Sequence, residues 1–154
     1  MAEHHHDVQA LADQVSATMW SRDRAAQALN MQLVTVKPGY ALVSMPVVGD
    51  MLNGHYTCHG GYIFTLADSA FAYACNSHNQ NTVASACHID FLAPARECDV
   101  LEAEAIERSL AGRTGVYDVT VRVHGGKTVA LFRGKSYRIA GEVISGLQQA
   151  ESAS

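Results

Sequence analysis

Long apolar runs are missing from this chain of 154 residues. The longest such stretch lies between Tyr62 and Ala74, and Thr65 and Asp68 interrupt it well short of the ~18 residues a membrane span needs. The first residues, MAEHHHDVQA, have no hydrophobic core, so no secretory signal is expected. His4–His6 are set aside from the fold argument. Paired cysteine motifs are also missing. Cys58, Cys75, Cys87 and Cys98 contain no C-x-x-C, which points to reduced thiols in a cytosolic protein. Positive charge is scarce as well, and a net charge of −4 argues against general affinity for nucleic acid. Neither an internal repeat nor a low-complexity linker divides the chain. Its length suits one domain with a proper core.

The pattern that is present changes period twice. Val8, Leu11, Ala12, Val15 and Met19 recur at helical spacing, predicting a helix from residue 7 to about 30. MQLVTVK (31–37) and YALVSMPV (40–47) alternate around Pro38-Gly39 and predict a hairpin. A loop over 49–59 contains an Asn-Gly pair and leads into a second helix that ends near the polar run NSHNQN (76–81). Four strand-like runs follow, over 83–92, 100–110, 115–124 and 127–139, and the tail beyond Gly141 is expected to fray. Such an order is α+β. One antiparallel sheet should wrap around the central helix, and the surface it leaves uncovered should meet a second subunit.

The central helix, within HGGYIFTLADSAFAYACNS (59–77), raises the functional question. At about 100° per residue, Asp68 shares a face with Gly61, Phe64, Thr65, Phe71, Ala72 and Cys75. A carboxylate there either caps another element or pairs with an arginine, or else it is a poised base or nucleophile with its pKa raised by burial. His59-Gly60-Gly61 at the helix start favours the second reading. Glycines allow close approach to backbone N–H groups, and the positive end of the helix stabilises developing negative charge.

The stretch NGHYTCHGGYIFTLADSAFA (53–72) resembles the active-site region of hotdog-fold acyl-CoA thioesterases, and among these the thioesterases of phenylacetate degradation. The likeness continues through SACHIDFLAPA (85–95), GRTGVYDV (112–119) and VALFRGKS (129–136). It covers residues 27–141, leaving 1–26 as an N-terminal helix with a polar start and 142–154 as a polar tail. The resemblance implies that Asp68 is the catalytic carboxylate and that the Gly60 N–H polarises the thioester carbonyl. Gly61 keeps the approach open, while Asn53 and His59 orient the carboxylate or its water. It also implies an acyl-CoA substrate, no cofactor, no metal and a homodimer with shared sites, with a tetramer left open.

Each neighbour also has a plainer reading. His59 caps the helix, and Asn53 is turn chemistry. His55, Cys58 and His59 lack a metal-site spacing. Ser85, His88 and Asp90 are structural or lie at a subunit contact. Seven of the eleven Lys and Arg fall between Arg108 and Arg138, where Asp118 is the only acid. That cluster is either a solvated strand face or a seat for the phosphates of coenzyme A, with Arg113, Arg133 and Lys135 as candidates. Two other functions remain open: a hydratase acting on acyl-CoA with the same fold, and an acyl-CoA-binding protein that releases no thiol.

Overall fold

Every stretch of alternating polarity folds as a strand in the computed structural model, which describes residues 2–147. In chain order the elements are α1 (Ala2–Arg22), α2 (Arg24–Ala28), β1 (Gln32–Lys37), β2 (Tyr40–Pro46), α3 (Gly60–Asn76), β3 (Thr82–Phe91), β4 (Val100–Ala111), β5 (Thr114–Val123) and β6 (Thr128–Arg138). The strands form one sheet in the order β1-β2-β4-β5-β6-β3, antiparallel throughout. The sheet curls around α3 in the hotdog arrangement. No helix among the described residues is long and apolar enough to cross a membrane.

The single helix expected over 7–30 is two. Asp23 breaks it, because its carboxylate offers a better bond than continued helix: Oδ1 accepts from the Ala26 N–H at 3.0 Å and caps α2. Oδ2 accepts from the Tyr73 hydroxyl at 2.9 Å, fastening this corner to α3. The polar run after α3 is also more than a helix stop. Asn76 bonds both the N–H and the C=O of Thr82, joining the helix end to β3. Fully buried Asn79 does the same with Ile144 through Oδ1 and Nδ2. The expected fraying beyond Gly141 therefore fails at Ile144; residues 148–154 lie outside the described residues.

α3 buries Ile63, Leu66, Ala67, Ala70, Phe71, Tyr73, Ala74 and Cys75 against the concave face of the sheet. Its other stripe, Phe64, Thr65, Asp68, Ser69 and Ala72, is only half-covered. At the sheet edge beside it, β3 is exposed along most of its length.

Phe71 packs against Tyr117 and Phe132 with ring centroids 5.5 and 6.0 Å away. Its ring fits flat on β6 because residue 134 has no side chain: a Cβ there would stand 2.9 Å from three of the ring's atoms. Gly134→Ala is therefore expected to overpack the core and cost about 1–3 kcal/mol, measured by urea unfolding. An unchanged midpoint would show that the ring can yield.

Candidate active site

The loop before α3 is held by its own backbone. The His59 N–H donates to the Met51 C=O at 2.7 Å, and the Cys58 N–H donates to the Ala95 C=O at 2.8 Å. Inside it, Asn53 Oδ1 accepts from the His55 N–H at 2.9 Å and from the Thr57 N–H and hydroxyl at 3.3 Å each. The turn-forming role of Asn53 is thus real, and it uses only the oxygen. Among the described residues nothing accepts from Asn53 Nδ2, which remains an available donor.

His59 is the N-cap of α3. Its Nδ1 accepts from the Gly61 N–H at 2.9 Å, and its C=O accepts from the Tyr62 N–H at 3.0 Å. Accepting through Nδ1 fixes the tautomer, so the ring proton sits on Nε2 and a second donor becomes available. The helix thereby loses two orphan N–H groups to its own cap, while the Gly60 N–H has no acceptor among the described residues. It stands at the positive end of the helix dipole, as an oxyanion donor must.

Asp68 lies two turns along α3. Its carboxylate accepts no hydrogen bond and pairs with no cation among the described residues. The nearby hydroxyls bond back along the helix instead, Thr65 to the Gly61 C=O and Ser69 to the Thr65 C=O, at 2.8 Å each. Among the described residues Asp68 thus neither caps another element nor pairs with an arginine. Burial holds the Asp68 carboxyl above its ordinary range. Burial also pushes the Cys58 thiol up to about 11 and Cys75 up to about 12, the second with help from the Asp68 charge. The exposed Cys87 thiol on β3 is raised by burial and then by the same charge. Raised from the ordinary thiol value, all three are protonated at neutral pH.

The basic candidates are scattered. Arg133 is engaged by Asp118 through Nε at 2.6 Å and Nη2 at 2.9 Å, and Arg108 joins the same carboxylate at 3.1 Å. Lys135 and Arg133 alternate with buried Phe132, Gly134 and Ser136, so both project from the sheet face opposite α3. Arg113, in the turn between β4 and β5, lines a cavity of about 580 Å³ with Gln80, Glu142 and Arg138. Sequence reasoning missed Arg138 as the companion of Arg113; the C=O of Arg113 accepts from the Arg138 N–H at 2.8 Å, a pairing across strands that no local pattern reports. His88 and Asp90 do share a face, 3.2 Å apart, and both are exposed.

A free helix-terminal N–H and an unpaired, half-buried carboxylate on a helix wrapped by a sheet define a class. The chain belongs to the thioesterase superfamily, whose family model matches residues 55–131. Acyl-coenzyme A thioesterase PaaI of Escherichia coli is 51% identical over 125 residues, covering 81% of this chain and 89% of that protein. The solved structure of the E. coli PaaI protein, from the phenylacetic acid degradation operon, superposes with a TM-score of 0.86 at 49% identity, over 88% of this chain and 98% of that one. A Streptococcus mutans protein solved with acetyl-CoA bound matches with a TM-score of 0.70 at 27% identity, over 73% of this chain and 91% of that one.

The unpaired carboxylate has a consequence for stability. With its pKa raised on folding, Asp68 binds its proton more tightly in the folded state than in the unfolded one. The stabilisation from the protonated form is lost as pH rises through the folded pKa. Asp68→Asn, with no charge to bury, is expected to melt above the parent protein at neutral pH, and the gap should close below the ordinary carboxylate range. Thermal unfolding across pH measures this. Equal midpoints at every pH would contradict it.

Proposed function

We propose that this protein hydrolyses acyl-CoA thioesters to free acid and coenzyme A, with phenylacetyl and ring-hydroxylated phenylacetyl groups as the preferred acyl part. The observation that carries the reading is the pairing of an unengaged Gly60 N–H with an unpaired Asp68 on one helix. Kinship with the E. coli acyl-CoA thioesterase supports the thioester, and the acetyl-CoA held by the streptococcal protein supports coenzyme A as the carrier. Four free cysteines and a coenzyme A substrate support a cytoplasmic setting.

The thioester carbonyl accepts from the Gly60 N–H, which stabilises the oxyanion as it forms. In one route Asp68 attacks the carbonyl carbon. A C–O bond forms, the C–S bond breaks, and the coenzyme A thiolate leaves a mixed anhydride that water then cleaves, restoring Asp68. In the other route Asp68 takes a proton from water as its oxygen bonds to the carbonyl carbon; the C–S bond then breaks and the proton passes to the departing coenzyme A thiolate. The raised pKa suits either role, since a more basic carboxylate is the stronger base and nucleophile. The free donors, Asn53 Nδ2 and His59 Nε2–H, suit the charged oxygen atoms of either path. Gly61, engaged by its cap, adds openness and no donor.

One helix cannot bring both groups to one carbonyl. Gly60 and Asp68 are eight residues apart, about 12 Å at the helical rise. A homodimer with its two α3 helices antiparallel answers this, setting Gly60 of one copy against Asp68 of the other. The exposed β3 edge supports such a dimer, because a long unpaired strand invites a second copy. Antiparallel pairing of β3 with its copy also carries the Thr82 end of one chain toward the Phe91 end of the other. Arg138 lies opposite Thr82 in register, so the Arg113–Arg138 cavity of one copy approaches Gly60 of its partner. That cavity suits the coenzyme A phosphates better than Arg133, whose guanidinium is occupied. Lys135 remains a candidate only for an outer rim.

A thioester panel read by thiol release is expected to show phenylacetyl-CoA turned over and crotonyl-CoA unhydrated. Binding without thiol release would instead indicate a carrier. In Asp68→Asn, kcat should fall by about 10²–10⁴ with little change in KM; retention of a third of parental turnover would remove Asp68 from the chemistry. Complementation tests the shared site. Asp68→Ala and Gly60→Val subunits, each nearly inactive alone, should recover roughly a quarter of parental activity after exchange, because half of the dimers are mixed and each holds one intact site. No recovery after verified exchange would refute the two-chain site.

A further inference from the structure

We infer that Phe91 selects the acyl group, forming the aromatic wall of an apolar cavity at the start of α3 that receives the aryl ring. The inference rests on the thioesterase reading above and adds the residue that gives it a substrate preference. The cavity, of about 430 Å³, is lined by Cys58, Gly60, Ile63, Phe91, Leu92 and Pro94 among others. Its volume falls in the range of small-molecule sites. No charged side chain lines it, and apart from Thr57 and the Gly60 N–H its lining suits a hydrocarbon better than a diphosphate.

Phe91 reaches this position for a local reason. It is the last residue of β3 and lies opposite Ala130 of β6, a fully buried residue too small to fill the space above it. The Phe91 ring turns toward the helix and rests on Gly60. A Cβ placed on Gly60 would stand 2.9 Å from Phe91 Cζ and 3.1 Å from Cε1, and all three atoms nearest that point belong to this ring. Glycine at 60 therefore does two things: it leaves the N–H open and gives the ring its seat. Phe91 nevertheless keeps 54% of its surface exposed, and Leu92 beside it keeps 56%. Two large apolar side chains are left uncovered beside the Gly60 N–H, which has no acceptor among the described residues. A carbonyl held on that N–H directs its acyl chain either along the Phe91 ring or away from the cavity. An aryl ring that takes the first course buries apolar surface and gains an offset or edge contact with Phe91. An acetyl group offers the ring only a methyl and buries far less apolar surface.

The test separates binding from turnover. In the Asp68→Asn background, calorimetry compares phenylacetyl-CoA with free coenzyme A. Phenylacetyl-CoA should bind about tenfold tighter, and adding Phe91→Ala should shrink that gap to about twofold or less. In the protein with Asp68 intact, Phe91→Ala should lower the ratio of kcat/KM for phenylacetyl-CoA over acetyl-CoA by a similar factor, with Phe91→Leu in between. Circular dichroism and size-exclusion chromatography check that these variants stay folded and paired. No gap between the two ligands at the outset, or a gap that survives Phe91→Ala, would overturn the inference. An equal loss on both substrates would do the same. Absence of thiol release by the parent protein would sink the hydrolase reading alone, since the binding comparison stands without turnover.

Discussion

The central helix carries more apolar surface than one curled sheet covers, and most of the structure follows from that mismatch. Phe71, Leu66 and Tyr73 satisfy the sheet side and set the core. The opposite stripe, running from Phe64 through Asp68 to Ala72, is left half-open beside an edge strand with unpaired backbone groups. A carboxylate can persist there because water still reaches it. Its raised pKa marks the cost of that partial burial, which a structural role would have offset with a partner. Among the described residues Asp68 has no partner, and the proposed catalytic role rests on that.

A second economy operates at the helix start. Helix N-termini expose N–H groups that need acceptors, and a good cap normally removes the positive field available to a ligand. Here His59 takes the Gly61 N–H through Nδ1 and the Tyr62 N–H through its C=O, while Gly60 is passed over. The cap thus gives the helix its stability and leaves one donor facing outward. Asn53 repeats the device one loop earlier, spending its oxygen on the turn and keeping its amide protons. In both residues the structural role takes one atom of the side chain and leaves another free, so the proposed chemical role does not compete with it.

Polar residues were the hardest to place from sequence. Asp23 looked like one more charge on a helix surface, yet its two oxygens bond to the Ala26 N–H and to Tyr73, fifty residues away. NSHNQN read as a solvated helix stop, although Asn79 within it is fully buried and bound to Ile144. Arg133 looked as available as Arg113 until the sheet register set Asp118 directly beside it. Charge and hydropathy report whether a group prefers water. They do not report which partner a distant strand brings within 3 Å.

Sequence alone determined the six strands, the central helix and their order, though not the break at Asp23, because periods of 2 and 3.6 residues are local consequences of which faces are buried. It also singled out the positions to which we assign the chemistry, since an acid within an apolar helix and a glycine pair at its start are conspicuous against their neighbours. Tertiary structure decided the rest: which N–H of the helix start stays free and that Asp68 lacks a partner among the described residues, which cations are already paired, and that Phe91 lies on Gly60. Each of these depends on distances between residues far apart in the chain. Such distances are set by strand register and sheet curvature, quantities that belong to the whole fold and to no segment of it.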